Sequence, residues 1–340
     1  MSAIISNTTT DNRLWEKVIR KYNKPDVKKS IWQIVNSLIP YAFMWYLMYL
    51  SLQFSYAVTL LLALIASGFL IRIFIIFHDC GHGSFFKSAK ANNAVGMIAG
   101  FLTFTPYQMW HHHHRIHHAS AVNLDKRGIG DVWTMTKEEY LNSVKPAQRY
   151  YRFFRNPFVM FIIGPLFVIF FQNRVTRKRM NREDRIHVYI TNVAILLMSA
   201  GLIMLMGWKA FLMIQLPVIF FSHSIGIWLF LIQHNFEDIN WERNDNWDYK
   251  TAAFRGCSFL RFPAVFQWFT GNIGFHHVHH LSPRIPNYHL ARCHYENDIF
   301  RDIKPIRFLS TFSFLKLHLW DEENQRMIGF SDLESPSVYA

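Results

Sequence analysis

Four stretches of this 340-residue chain are apolar for about as long as a bilayer is thick. Nothing else in the sequence constrains the fold as strongly. They run from Ile31 to about Leu52, Phe54 to Phe77, Val188 to Met206 and Ala210 to Ile232. A helix needs about 20 such residues to cross hydrocarbon, and it must pair its backbone groups within itself. The links within each pair are minimal: Gln53 with its neighbours, and Gly207-Trp208-Lys209. The pattern predicts two helical hairpins. Two shorter runs, Ala94–Phe104 and Pro157–Phe171, read as re-entrant or interfacial helices. Gly96 and Gly100 form a G-x-x-x-G, a spacing that permits close helix packing.

Charge orients the hairpins. Lys and Arg number 36 against 23 Asp and Glu, a net +13. Seven of the basic residues lie in 1–30, sixteen in 78–187 and eleven from 233 onward, so 34 of 36 fall on one side of the predicted membrane. The positive-inside rule places that side, with both termini, in the cytoplasm. Basic residues that flank spans point to anionic lipid, and no nucleic-acid partner is expected. Arg72 lies within a span, near enough to its end to snorkel. The first thirty residues lack the apolar core of a cleavable leader, and Arg13–Tyr22 reads as a basic interfacial helix. Cys80, Cys257 and Cys293 are too few and too scattered for a disulfide framework. A chain that is 51% hydrophobic is not disordered. The expected fold is an all-α integral membrane protein. Four transmembrane helices form two hairpins, and a cytoplasmic helical cap holds a metal site. The expected divisions are an N-terminal segment 1–30, a main domain 31–325 and a tail 326–340.

The cap is where the histidines gather. Twelve of eighteen fall in three clusters. His78 and His82 are four apart and share a helical face. His114, His117 and His118 sit at i, i+3 and i+4, and His276, His279 and His280 repeat that spacing. Eight imidazoles in three same-face sets on one side of the membrane can converge. Neutral imidazole suits Zn, Cu, Fe and Ni. Eight ligands exceed one tetrahedral zinc site but suffice for two metals with open positions, and the scarcity of thiolate argues against a structural zinc cage. We read a nitrogen-rich dinuclear iron site that activates oxygen. His112, His113 and His277 fall off these faces, and His111 lies on one, a turn early.

These residues resemble the histidine boxes of the membrane fatty acid desaturase superfamily: H-x(3,4)-H, H-x(2,3)-H-H and H/Q-x(2,3)-H-H. Here they read His78-x3-His82, His114-x2-His117-His118 and His276-x2-His279-His280. The likeness runs from about residue 30 to about residue 325. The segments HDCGHGSFF, NLDKRGIGD, QHNFED and TGNIGFHHVHHLSPRIPNY are similar to the acyl-lipid branch, above all the delta-5 type of bacilli and more distantly the delta-12 type. The resemblance implies two irons and nine histidine ligands, the ninth being His234 of Gln233-His234-Asn235. It implies a cis double bond made in a saturated acyl chain of a membrane phospholipid, with O2 and two electrons from an external ferredoxin or flavodoxin. A bacterial cell membrane is the implied location. In related stearoyl-CoA enzymes an Asn stands four residues before the ninth His, and here the place holds Phe230.

Around the boxes, Asp79 is placed to accept a ring N–H from His78, and Glu237 or Asp238 from His234. His223 lies on the face of His234, deeper in its span, where a hydrogen bond to a neighbouring helix is expected. Hydroxylation, acetylenation or ketolation use the same site residues. A His-rich metal transporter would instead carry ionisable residues along its spans, and these hold little beyond Arg72 and His223.

Overall fold

A computed structural model describes residues 14–128 and 130–333. Residues 1–13 of the expected N-terminal segment and 334–340 of the expected tail lie outside the described residues. Helix α1 (Leu14–Arg20) is short, and Ile19 and Tyr22 are buried with the C-terminal part of the chain. Helix α2 (Val27–Ser51) starts where the Asp26 carboxylate accepts the N–H groups of Lys28 and Lys29. Ser55 caps α3 (Tyr56–Gly81) in the same manner, and the Ser51 and Thr59 hydroxyls meet at 2.8 Å inside the intervening turn.

Helix α3 is the hub. It packs on α2, α10 (Trp208–Gln233) and α4 (Ala89–Leu102), and it is buried almost continuously from Leu70 to Gly81. The predicted close packing at G-x-x-x-G is present. A Cβ on Gly96 would overlap the Tyr107 ring, and one on Gly100 would stand 2.6 Å from the Thr105 carbonyl. Helix α5 (Tyr107–Ser120) follows directly.

Strand β1 (Met135–Thr136), α6 (Lys137–Asn142) and α7 (Lys145–Phe154) lead to the second short apolar run. That run is helical from Val159 to Gln172, with π-helical turns on either side of α8 (Gly164–Phe167). It bends by 61° from α7, the geometry of a broken span or a re-entrant loop. Helix α9 (Arg182–Met206) meets α10 at Gly207, whose φ of +82° strains any other residue.

Helices α3, α9 and α10 are each long and apolar enough to cross a membrane. Helix α2 has the length but not the composition, because Gln33, Asn36, Ser37 and Pro40 interrupt its apolar run. One of the four expected spans therefore falls short, and α7 with the bent run gives a fourth only if counted together. On α9, Val193, Leu196, Leu197, Met204 and Leu205 are all more than half exposed. Apolar surface of that extent is stable against lipid, not water.

After α10 the chain forms α11 (Tyr249–Arg255), β2 (Leu260–Arg261), α12 (Ala264–Phe269), α13 (His276–Leu281), α14 (Asn287–Tyr295), β3 (Ile306–Arg307), β4 (Leu319–Asp321) and β5 (Arg326–Ile328). The protein is mostly helical, but two small sheets qualify the all-α expectation. Strand β2 pairs with β3 in parallel, and β4 lies between parallel β1 and antiparallel β5. The division expected at 325 falls in the turn between the paired β4 and β5. Arg72 also departs from expectation, because it does not snorkel. It is buried, donates to the Trp268 carbonyl and to Asn36 Oδ1, and lies 4.0 Å from the Trp268 ring centre.

Candidate metal centre

The three clusters and His234 converge from four helices. Helix α3 ends with His78, and His82 caps it. Helix α5 contributes His114, His117 and His118, α13 contributes His276, His279 and His280, and His234 caps the end of α10. These nine form two groups. His78, His82, His114, His118 and His279 make one, and His117, His234, His276 and His280 the other. Within each group one nitrogen per ring lies within 4.8 Å of all the others.

Helical spacing explains the division. The i, i+4 pairs His114/His118 and His276/His280 stay together, while His117 and His279, on the adjacent ridge, go to the opposite group. Each of the two helices thus serves both groups. The stacked rings of His118 and His280, 4.0 Å apart, join them.

Hydrogen bonds orient several rings. His117 Nδ1 pairs with Asp131 Oδ1 at 2.5 Å, His78 Nδ1 with Asp79 Oδ1 at 3.1 Å, and His234 Nδ1 with the Gly256 carbonyl at 3.0 Å. A carbonyl can only accept, so His234 carries its proton on Nδ1 and a lone pair on Nε2. A carboxylate at Asp131 sets the same tautomer in His117. Yet His117 Nε2 and His234 Nε2 face each other at 3.1 Å, and His276 Nε2 is 2.9 Å from His234 Nε2. Two lone pairs at that distance repel unless a cation lies between them.

In the other group His118 Nε2 is 3.1 Å from His114 Nε2 and 3.0 Å from His279 Nε2. Nitrogens about 2.1 Å from one ion stand about 3.0 Å apart at right angles and about 3.4 Å apart in a tetrahedron. Contacts of 2.9–3.1 Å are short enough for rings that share one ion. Burial, reinforced by neighbouring histidines, holds His82, His114, His118, His234, His276, His279 and His280 well below the usual imidazole range. Neutral imidazole is the form that binds metal. His118 Nδ1, His276 Nδ1, His82 Nε2 and His280 Nε2 are buried without a hydrogen-bond partner. The donor set therefore fits metal ions.

The other expected residues separate cleanly. Asp79 reaches His78 as expected, and its second oxygen accepts the main-chain and side-chain N–H groups of Asn287. Glu237 and Asp238 are exposed, and the Gly256 carbonyl takes the place foreseen for them beside His234. His223 bonds the Ile219 carbonyl of its own helix, not a neighbouring one. His111 belongs to neither group, His112 pairs with Asp184 at 2.9 Å, and His277 pairs with His294. Phe230 packs 5.2 Å from the His117 ring and 5.8 Å from that of His234.

Two residues were not anticipated. Asp131 closes the NLDKRGIGD segment, and its distance along the chain from His117 hid the pairing. Trp110 stacks on His114 at 4.2 Å and meets the Phe77 ring edge-on, and its place just before the histidine run was the available signal. Cys257 approaches His234 Nδ1 at 3.9 Å, but burial raises its thiol well above the usual range, so it is no thiolate.

Comparison with known proteins agrees with this geometry. The family model described as fatty acid desaturase matches residues 54–303. The chain is 46% identical over 314 residues to a fatty acid desaturase of Bacillus subtilis (strain 168), covering 92% of this chain and 89% of that protein. It is 26% identical over 237 residues to the sn-1 acyl-lipid omega-3 desaturase (ferredoxin) of Synechocystis, covering 65% and 62%. The sn-1 oleoyl-lipid 12-desaturase of that organism is 24% identical over 261 residues, covering 74% and 73%. A histidine-lined site among apolar helices, in a chain matched over most of its length, makes this protein an oxidoreductase of the fatty acid desaturase family.

Proposed function

We propose that the protein is an acyl-lipid desaturase that introduces a cis double bond into a saturated chain of a membrane phospholipid. The overall change is –CH2–CH2– plus O2, two electrons and two protons giving –CH=CH– and two waters. The observation that carries this is the pair of adjoining imidazole groups beside apolar helices. Delta-5 is the proposed bond position, on the resemblance of the segments around the boxes.

Nine histidines would hold two irons: His78, His82, His114, His118 and His279 at one, and His117, His234, His276 and His280 at the other. Groups of five and four imidazoles without a thiolate, together with the resemblance, favour iron over a structural zinc cage. Bound iron supplies, with O2, the oxidant that an unactivated methylene requires. The protein's own part is orientation. Asp131, Asp79 and the Gly256 carbonyl accept hydrogen bonds from the Nδ1–H groups of His117, His78 and His234 and aim Nε2 inward. Trp110 and Phe230 wall the groups with carbon.

Electrons come from an external donor, and a ferredoxin or flavodoxin is proposed. The name of the Synechocystis relative, which specifies ferredoxin, supports the first. A bacterial cell membrane with the histidine groups and both termini cytoplasmic is supported by the basic residues, and residues 31–325 are taken as the main domain.

The test is expression in a host without desaturases, with iron and a working donor, followed by lipid analysis. A product two mass units lighter in acyl chains of phospholipid is expected, and its loss in folded His117→Ala or His279→Ala. A product one oxygen heavier would redirect the reading to a hydroxylase. No change with iron-loaded protein would end it.

A further inference from the structure

Two exposed arginines outside the metal centre face each other across a strand pair. Strands β2 and β3 pair in parallel with Arg261 directly opposite Arg307. Both are exposed, and among the described residues neither side chain meets an acid or makes a hydrogen bond. Directly opposed like charges destabilise a strand pair, so the arrangement favours an anion between them.

What lies next to them is apolar. Val265 and Phe266 of α12, with Leu309 and Phe312 of the 3-10 turn Phe308–Lys316, are all at least 47% exposed. The depth of this shelf can be read from its contacts. Trp268 and Phe269 pack edge-on against Phe69, nine residues before His78 on α3. Phe262, Phe308 and Phe312 surround Trp228, six residues before His234 on α10. At 1.5 Å per residue those contacts lie about 14 Å and about 9 Å from the histidines along two membrane helices. The shelf therefore dips beside the spans, and the arginine pair stands at its rim. Leu260, beside Arg261, is bonded to the Gly274 carbonyl, two residues before His276. The rim is thus tied to the histidine groups.

We propose that Arg261 and Arg307 clamp the phosphodiester of the substrate phospholipid while the shelf lies among its acyl chains. Guanidinium forks suit phosphate oxygens, and aromatic residues suit the headgroup boundary. The clamp would fix the headgroup relative to the histidines and so set where along the chain oxidation falls. This rests on the acyl-lipid reading above.

The full-length enzyme is reconstituted in nanodiscs containing a phosphatidylglycerol or a diglucosyl diacylglycerol with the same chains. Native mass spectrometry counts retained lipid, and kinetics are followed against lipid mole fraction. For Arg261→Gln/Arg307→Gln we expect about a tenfold higher KM for the phospholipid, kcat within about twofold, and lost retention of phosphatidylglycerol only. Arg261→Lys/Arg307→Lys should restore part of that retention. Unchanged retention and KM in the glutamine variant would overturn the clamp. So would equal loss of both lipids, which would make the pair structural. If the wild type desaturates neither lipid, the acyl-lipid reading fails, and selective retention still decides whether the pair binds phosphate.

Discussion

Asp131 and His117 are joined by a buried 2.5 Å contact between a loop carboxylate and the Nδ1 of a helical imidazole. Gly130 makes it possible. Its φ is +73°, and a Cβ there would stand 3.0 Å from that of His117. Replacing Asp131 by Asn removes the charge that fixes the His117 tautomer. Metal affinity should fall by about 10–100-fold. Metal content after chelator competition checks this, and content equal to wild type would show that the carboxylate is dispensable.

Asp79 links the first histidine cluster to α14. Its Oδ2 accepts from the Asn287 main-chain N at 2.7 Å and from Nδ2 at 2.8 Å. In Asn287→Ala a buried carboxylate loses one of these donors, at a cost of about 1.5–3 kcal/mol. A lower apparent Tm in detergent is expected. Asn287→Asp should cost more, because two carboxylates would then share the pocket.

Gly96→Ala tests the packing of α4. Its Cβ would overlap the Tyr107 ring, which is itself buried against Phe77. The overpacking should cost about 1–3 kcal/mol. A double-mutant cycle with Tyr107→Leu should recover much of it, and full additivity would place the strain elsewhere.

Glu296 gives a pH dependence. Arg292, Tyr22 and Lys21 bond its carboxylate and hold it down to about 2 from an ordinary 4.5. A depressed carboxylate contributes stability that is complete above the unfolded value and lost as pH falls through the folded one. The attachment of α1 to α14 should therefore hold above about pH 4.5 and loosen toward pH 2. Hydrogen exchange of residues 14–22 in wild type, set against Glu296→Gln, checks this. The variant should exchange faster at neutral pH and respond less to acid.

Much of the site is legible in the sequence. His114, His117 and His118 share a face because helical periodicity is a local property, and the three box histidine sets were found that way. The long apolar helices α3, α9 and α10 were legible for the same reason, since such a run needs no partner to declare itself. Helix α2 is less legible, because its scattered polar residues, Gln33 and Ser37 among them, lower its mean hydropathy yet are buried against other helices, a fact the run itself does not carry. Glu237 and Asp238 were plausible by nearness in the chain, but the Gly256 carbonyl won the place by nearness in space.

By itself the sequence determined the local chemistry: which imidazoles can point the same way, which segments are apolar enough for lipid, and where the basic residues accumulate. Tertiary structure decided the rest. It divided nine histidines into five and four, brought Asp131 to His117, buried Arg72 under Trp268 and set Arg261 across from Arg307. Those outcomes depend on contacts between elements far apart in the chain. Spacing along one helix constrains direction, and only packing constrains distance.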